Sequence, residues 1–215
     1  MLNRAPLRAV LFDWDGTLLD SYEADARAYV AMFSALHVPW DLSELKKHYS
    51  PDWYCVYRAA GLPVERWAEA DRLWRQAYRS ERPVLQPGVR MVLRRLARRY
   101  KLGLVSGGSD WRVRAQLSKL SLARLFAVRV YGDDSPHRKP YPAPLRLAMK
   151  RLRCPPEACV YIGDTPQDVE MARRSGVAVI GVLGNSPVPE RLPPGATRPA
   201  LPCHGPQQAP GRTGD

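Results

Sequence analysis

With 215 residues, 45% of them hydrophobic and 25% charged, the chain has the make-up of an ordinary globular protein and the length of one domain, or of one domain with an insertion. Its longest uncharged stretch, Ser175 to Pro189, is fifteen residues broken by Gly and Pro, short of the roughly 20 apolar residues of a membrane helix, and MLNRAPLRAV meets charge too soon for a signal peptide. The net charge of +12 favours acidic partners without choosing among them, and Cys55, Cys154, Cys159 and Cys203 form no C-x-x-C pair, which predicts reduced thiols in a cytoplasmic protein.

In chain order, the run Ala9–Phe12 predicts a buried strand that ends in Asp13-Trp14-Asp15-Gly16-Thr17. Residues 21–82 then read almost wholly helical (21–36, 42–49, 53–60, 64–79) with no convincing strand. They hold Trp40, Trp53, Trp67 and Trp74, four of the six tryptophans, which predicts the core of a small helical module lying like a lid. From there strand alternates with helix: strands at 102–105, 128–131, 160–162 and 177–182, helices at 88–100, 110–120, 143–152 and 167–175. That alternation implies a parallel sheet covered on both faces, an α/β fold. The densest basic run, RMVLRRLARRYK (90–101), places Leu93, Leu96 and Tyr100 at helical spacing after Val89. It reads as an amphipathic helix with a solvated face in preference to a nucleic-acid patch. Residues 185–215 carry eight prolines and little periodicity, the composition of a disordered tail.

Ligands of a parallel α/β sheet bind beyond the carboxyl ends of its strands, so the polar residues there are candidates together. The first strand ends in Asp13 and Asp15, the second in Ser106-Gly107-Gly108-Ser109, the fourth in Gly163-Asp164-Thr165-Pro166-Gln167-Asp168, and Lys139-Pro140 lies between the third and fourth. Asp13, Asp15, Asp164 and Asp168 in one crevice repel one another, and a divalent cation with hard oxygen ligands, Mg²⁺, removes the conflict. A lysine and a metal before an acid pair suit a phosphoryl group: one acid attacks, and the acid two residues on donates a proton. Thr17 and Ser106 offer hydroxyl donors. Standing alone, Asp168 could instead be a helix N-terminal acid favoured by the dipole. Asp20, Asp110, Asp133 and Asp134 read as caps or turns.

These residues resemble the four motifs of the haloacid dehalogenase (HAD) superfamily of phosphatases, in order: DWDGT (13–17), the hydrophobic run ending in Ser106, Lys139-Pro140 and GDTPQD (163–168). The flanking VYIGDTPQDVEMARRSGV and YGDDSPHRKPYPAPL are similar to its phosphoglycolate phosphatase-like subfamily. The resemblance covers residues 8 to about 184. It implies a Rossmann-like core (1–20 and 83–184) with an inserted helical cap (21–82), and a Mg²⁺-dependent hydrolase of a small phosphorylated metabolite.

It further implies Asp13 as nucleophile and metal ligand, and Asp15 as general acid and base with its backbone carbonyl on the metal. Asp164 would ligate the metal directly, and Asp168 directly or through water. Thr17, Ser106, Gly107 and Lys139 would hold the phosphoryl group, with Lys139 also steadying Asp13. Two departures stand out: Ser106-Gly107-Gly108-Ser109 replaces the Thr-Asn-Lys typical of phosphoglycolate phosphatases, and the proline-rich tail follows where the family adds a strand and helix. The alternatives are a phosphomutase of the same family, whose cap histidine is not found near Asp25, and a catalytically idle module that binds nucleic acid.

Overall fold

The computed structural model describes residues 6–50 and 52–182, so the expected disordered tail at 185–215 lies outside the described residues. Five parallel strands, β1 (Ala9–Phe12), β4 (Lys101–Val105), β5 (Val128–Val130), β6 (Cys159–Gly163) and β7 (Ala178–Gly181), form one sheet in the order β5-β4-β1-β6-β7. The five predicted strands are all present, with ends shifted by a residue or two.

Alternation along β1 shows why this sequence needs cover on both sides. Ala9 and Leu11 face one core with α7 (Ala143–Leu152) and α8 (Pro166–Arg174), where Leu145, Met149, Tyr161 and Met171 are buried. Val10 and Phe12 face the other with α5 (Val89–Leu96) and α6 (Asp110–Lys119), where Leu93, Val113 and Leu117 are buried. Successive strand side chains point to opposite faces, so a central strand apolar at every position must be buried on both. Within α5 only Leu93 is fully buried, Val89, Leu96 and Tyr100 pack beside it, and Arg94, Arg95, Arg98 and Arg99 are exposed. The basic run is the solvated helix face that its spacing predicts.

Helices α1 (Tyr22–Ala35), α2 (Leu42–His48), α3 (Trp53–Ala59) and α4 (Trp67–Tyr78) share a separate core around Tyr29, Phe33, Leu45, Val56, Tyr57 and Trp67. Asp41 caps α2 by accepting from Ser43 N and Glu44 N at 2.8 and 2.9 Å. The chain leaves the sheet for these helices and returns through a two-residue antiparallel ribbon, β2 (Leu19–Asp20) with β3 (Val84–Leu85). Just outside 21–82, it is too short to show a period.

Cys154 and Cys159 are free, buried thiols, whereas Cys55 is disulfide-bonded. The expected reduced state therefore fails at Cys55, because the absence of C-x-x-C excludes only local pairs. Among the described residues, no helix is long and apolar enough to cross a membrane.

Trp67 ties the helical core together: its ring stacks on Tyr54 at 4.7 Å and meets Tyr57 at 6.1 Å, and its Nε1 donates to Leu62 O at 3.0 Å. Trp67→Ala should therefore cost about 3–5 kcal/mol, read as a fall in the urea midpoint; a midpoint at the wild-type value would show that these helices are held by other contacts.

Candidate active site

The sheet order reverses at β1, which lies between β4 and β6, so the loops after these three strands open onto one crevice. Asp13 follows β1 directly, its N–H donating to Ile162 O of β6 at 2.8 Å, and Ser106 follows β4, its N–H donating to Val130 O of β5 at 2.9 Å. Gly16 turns the chain with φ +77°, and a Cβ there would lie 2.2 Å from Asp164 Oδ2. Glycine is needed there both for the left-handed turn and for the close approach.

At the centre Lys139 Nζ lies 2.6 Å from Asp13 Oδ1 and 2.7 Å from Asp168 Oδ1, with all three side chains buried. Carboxylate oxygens of Asp13, Asp164 and Asp168 fall within 4.8 Å of one another. Three carboxylates around one ammonium leave two negative charges in excess. Burial, then the Asp168 charge, pushes Asp13 well above the usual carboxylate range despite Lys139. Burial pushes Asp164 up to about 6. Asp168 goes the other way: burial opposes its charge, but Lys139, Thr165 and Tyr161 outweigh that and hold it low. Lys139 is held protonated by Asp13 and Asp168 against the cost of its own burial.

Asp168 has no oxygen left over. Oδ1 accepts from Tyr161 OH at 2.7 Å as well as from Lys139, and Oδ2 accepts from Thr165 N and Oγ1 at 3.1 and 2.6 Å. Its own N–H returns to Thr165 Oγ1 at 3.2 Å, completing a capping box at the start of α8. Asp168 is thus the N-terminal helix acid of one sequence reading, and it also joins the charge cluster by clamping Lys139. Asp164 is less engaged, with Oδ1 accepting from Thr17 Oγ1 at 2.8 Å. Thr17, expected to face phosphate, instead orients this carboxylate. Ser106 Oγ accepts from Gly108 N at 3.0 Å, which leaves its O–H as a donor, and Ser106, Gly107 and Lys139 line one small cleft. A divalent cation fits this donor set: it matches the excess charge, and Asp13 and Asp164 are the carboxylates positioned to hold it.

The Asp15 side chain, by contrast, is absent from that cluster. Its Oδ1 and Oδ2 each accept from the Arg112 guanidinium at 2.7 Å, and Oδ1 also accepts from Ser21 Oγ at 2.8 Å. Burial raises its pKa, but Arg112 prevails and the net shift is downward. Arg112, Ser21 and Tyr161 went unnoticed in the sequence. Arg112 is one of 33 basic residues in a helix already accounted for, and its partner lies 97 positions upstream. Asp133 and Asp134 are turn acids as read, accepting from Asp110 N and Tyr131 N, both at 2.9 Å.

The model of the haloacid dehalogenase-like hydrolases matches residues 10–182. The chain belongs to that family. It is 32% identical over 194 residues to a phosphoglycolate phosphatase of Chromobacterium violaceum, covering 84% of this chain and 87% of that one, and 31% identical to one of Xanthomonas campestris, covering 82% and 83%. Among solved structures, CbbY from Rhodobacter sphaeroides in complex with phosphate superposes with a TM-score of 0.70 at 24% identity, covering 80% and 84% of the two chains. A haloacid dehalogenase-like hydrolase from Streptococcus pneumoniae gives 0.71 at 23%, covering 85% and 89%. These structures share the fold; the curated relatives place this member of the family among its phosphatases.

The two motif IV acids should separate in a melt without divalent ions at pH 7.5. Asp168→Asn breaks a buried network and should lower the Tm by roughly 5 °C or more. Asp164 has its pKa raised on folding from an unfolded value near 4, so its charge opposes folding once the pH exceeds that value, and fully above about 6. Asp164→Asn should leave the Tm level or raise it, with any gain gone below pH 4. A melt that drops equally for both would assign Asp164 the same structural duty.

Proposed function

We propose that this phosphatase hydrolyses the phosphate monoester of a small metabolite through an aspartyl-phosphate on Asp13, with Mg²⁺ held by Asp13 and Asp164, and that residues 21–82 act as a cap over the core formed by 1–20 and 83–184. The observation that carries the reading is Lys139 fixed between Asp13 and Asp168 at the strand ends, with Asp164 beside them. The relatives named phosphoglycolate phosphatase support a short phosphorylated metabolite as substrate. When bound, the cation offsets the charge of the phosphoryl oxygens.

The chain's own residues do the rest. An Asp13 oxygen attacks phosphorus as the bond to the leaving oxygen breaks, while Lys139 and the free hydroxyl of Ser106 hold phosphoryl oxygens. Asp15, once released from Arg112 and protonated, gives its proton to the leaving oxygen. It then takes a proton from the water that attacks the aspartyl-phosphate, which frees inorganic phosphate and returns Asp13. Gly107, beside Ser106, allows the phosphoryl group to approach the backbone. Asp168 acts through Lys139.

Turnover of an aryl phosphate should vanish in EDTA and return with Mg²⁺, and Asp13→Asn should leave no acid-stable label from ³²P-substrate, since an amide is too weak a nucleophile. Undiminished turnover in the chelator would remove the metal from the reading, and a labelled Asp13→Asn protein would remove the nucleophile. Asp15 has a different signature. Asp15→Asn should slow an alkyl phosphate that bears a carboxylate, such as 2-phosphoglycolate, by roughly 10²–10⁴-fold, and p-nitrophenyl phosphate much less, because its leaving group scarcely needs a proton. Equal losses on both esters would deny Asp15 the acid's role.

A further inference from the structure

The proposed reaction cannot keep the Asp15–Arg112 pair, nor the hydrogen bond from Ser21 that also holds Asp15. Arg112 lies in the first turn of α6 with only 9% of its side chain exposed, below the rings of Trp74 and Tyr78 at 5.9 and 5.3 Å. Its two terminal nitrogens meet the two Asp15 oxygens at 2.7 Å each, the planar fork that guanidinium makes with a carboxylate. The Asp15 side chain is 25% exposed. To serve an ester whose phosphorus sits at Asp13, it must swing out of the fork. A buried guanidinium left without its carboxylate is strongly disfavoured.

A second acid that interacts with Arg112 electrostatically is Asp25 of α1. Its Oδ2 accepts from Tyr49 OH at 3.2 Å, and burial pushes its carboxyl up to about 7. Among the described residues no ion pair joins Asp25 to Arg112, so Asp25 stands outside the fork that holds Asp15.

We propose that Arg112 is a specificity-determining residue, its fork passing from Asp15 to a second anionic group of the substrate, a carboxylate by the geometry that Asp15 itself displays. The substrate thus supplies the counter-charge that lets the acid go, and a neutral phosphate ester leaves Asp15 locked. Asp13 and Asp15 are two residues apart, so their Cα atoms lie within about 7 Å, and the carboxylate belongs a few atoms from the ester oxygen. This inference rests on the roles of Asp13 and Asp15 given above.

Two esters that differ at one end test it: 2-phosphoglycolate, which carries a carboxylate, and ethyl phosphate, which carries a methyl group in its place. The wild type should favour 2-phosphoglycolate in kcat/KM by about 100-fold or more, since a site built to pair a polar group rejects the analogue lacking it. Arg112→Gln should bring that ratio to within about fivefold, the greater loss falling on the carboxylate ester. Arg112→Lys, which keeps the charge and loses the fork, should fall between them and decides the matter should the Gln variant not fold. An Arg112 that is only structural, or one that Asp25 re-pairs, predicts equal losses on both esters; that result, or a wild type without preference, overturns the inference. A wild type that hydrolyses neither ester and no aryl phosphate overturns the phosphatase reading itself, and this one with it.

Discussion

The Lys139 ammonium is the point on which the site depends. Without it, Asp13, Asp164 and Asp168 could not share a volume in which their oxygens lie within 4.8 Å, because like charges at that distance raise one another's pKa until some are neutral. Keeping it there requires most of the local architecture. Tyr161 reaches up from β6 and Thr165 opens α8 so that Asp168 is filled on every side except the one facing Lys139. Gly163 leaves room for this: a Cβ there would stand 2.5 Å from Asp168 Cγ. The Val105 carbonyl takes a second contact from the Tyr161 hydroxyl at 3.3 Å, so the clamp is braced by β4 as well.

The two acids of DWDGT belong to different electrical neighbourhoods although one residue separates them. Asp13 joins Lys139, Asp164 and Asp168, where negative charge is in excess. Asp15 is matched one to one by Arg112 and further held by Ser21. Trp14 between them is fully buried, and its Nε1 donates to Gln116 Oε1 at 2.8 Å, one turn along α6 from Arg112. Gln116 in turn donates to the Tyr78 hydroxyl at 3.0 Å, so the loop after β1 is tied to α6 and, through it, to α4. A single anchored indole thus stands between a carboxylate paired with Lys139 and one paired with Arg112.

What could be read from the sequence was whatever repeats or sits at a strand end. Period-2 and continuous apolar runs gave five strands, helical spacing gave the helices, and the rule that ligands lie beyond strand C-termini gathered Asp13, Ser106, Lys139, Asp164 and Asp168. The β2–β3 ribbon was not legible, since two residues carry no period. Nor was the orientation of Thr17 and Asp15, because a side chain's partner in the fold leaves no local mark when it lies 147 or 97 positions away. Asp168 could be read in two ways, and the helix cap it forms is what aims it at Lys139.

The arginine surplus takes on a different meaning once placed. Most of α5's guanidinium groups are solvated, but a few stand where the helices of residues 22–78 meet the sheet. Arg138, next to Lys139, lies 3.5 Å over the Trp53 ring with Asp52 at 3.7 Å, Arg112 lies under Trp74 and Tyr78, and Arg75 of α4 covers Trp111 of α6 at 5.6 Å. Cation–π contacts need the cation over the ring face within about 6 Å of its centroid, but they fix no single pair of atoms as a hydrogen bond does. Of the indoles involved, Trp74 has no hydrogen bond at Nε1 to lose. A junction built of such contacts can shift by an ångström at small cost, unlike the fully bonded Asp168 clamp beside it. The fully bonded part of the site is therefore the part proposed to hold phosphorus, and the ring contacts lie on the side proposed to read the rest of the substrate.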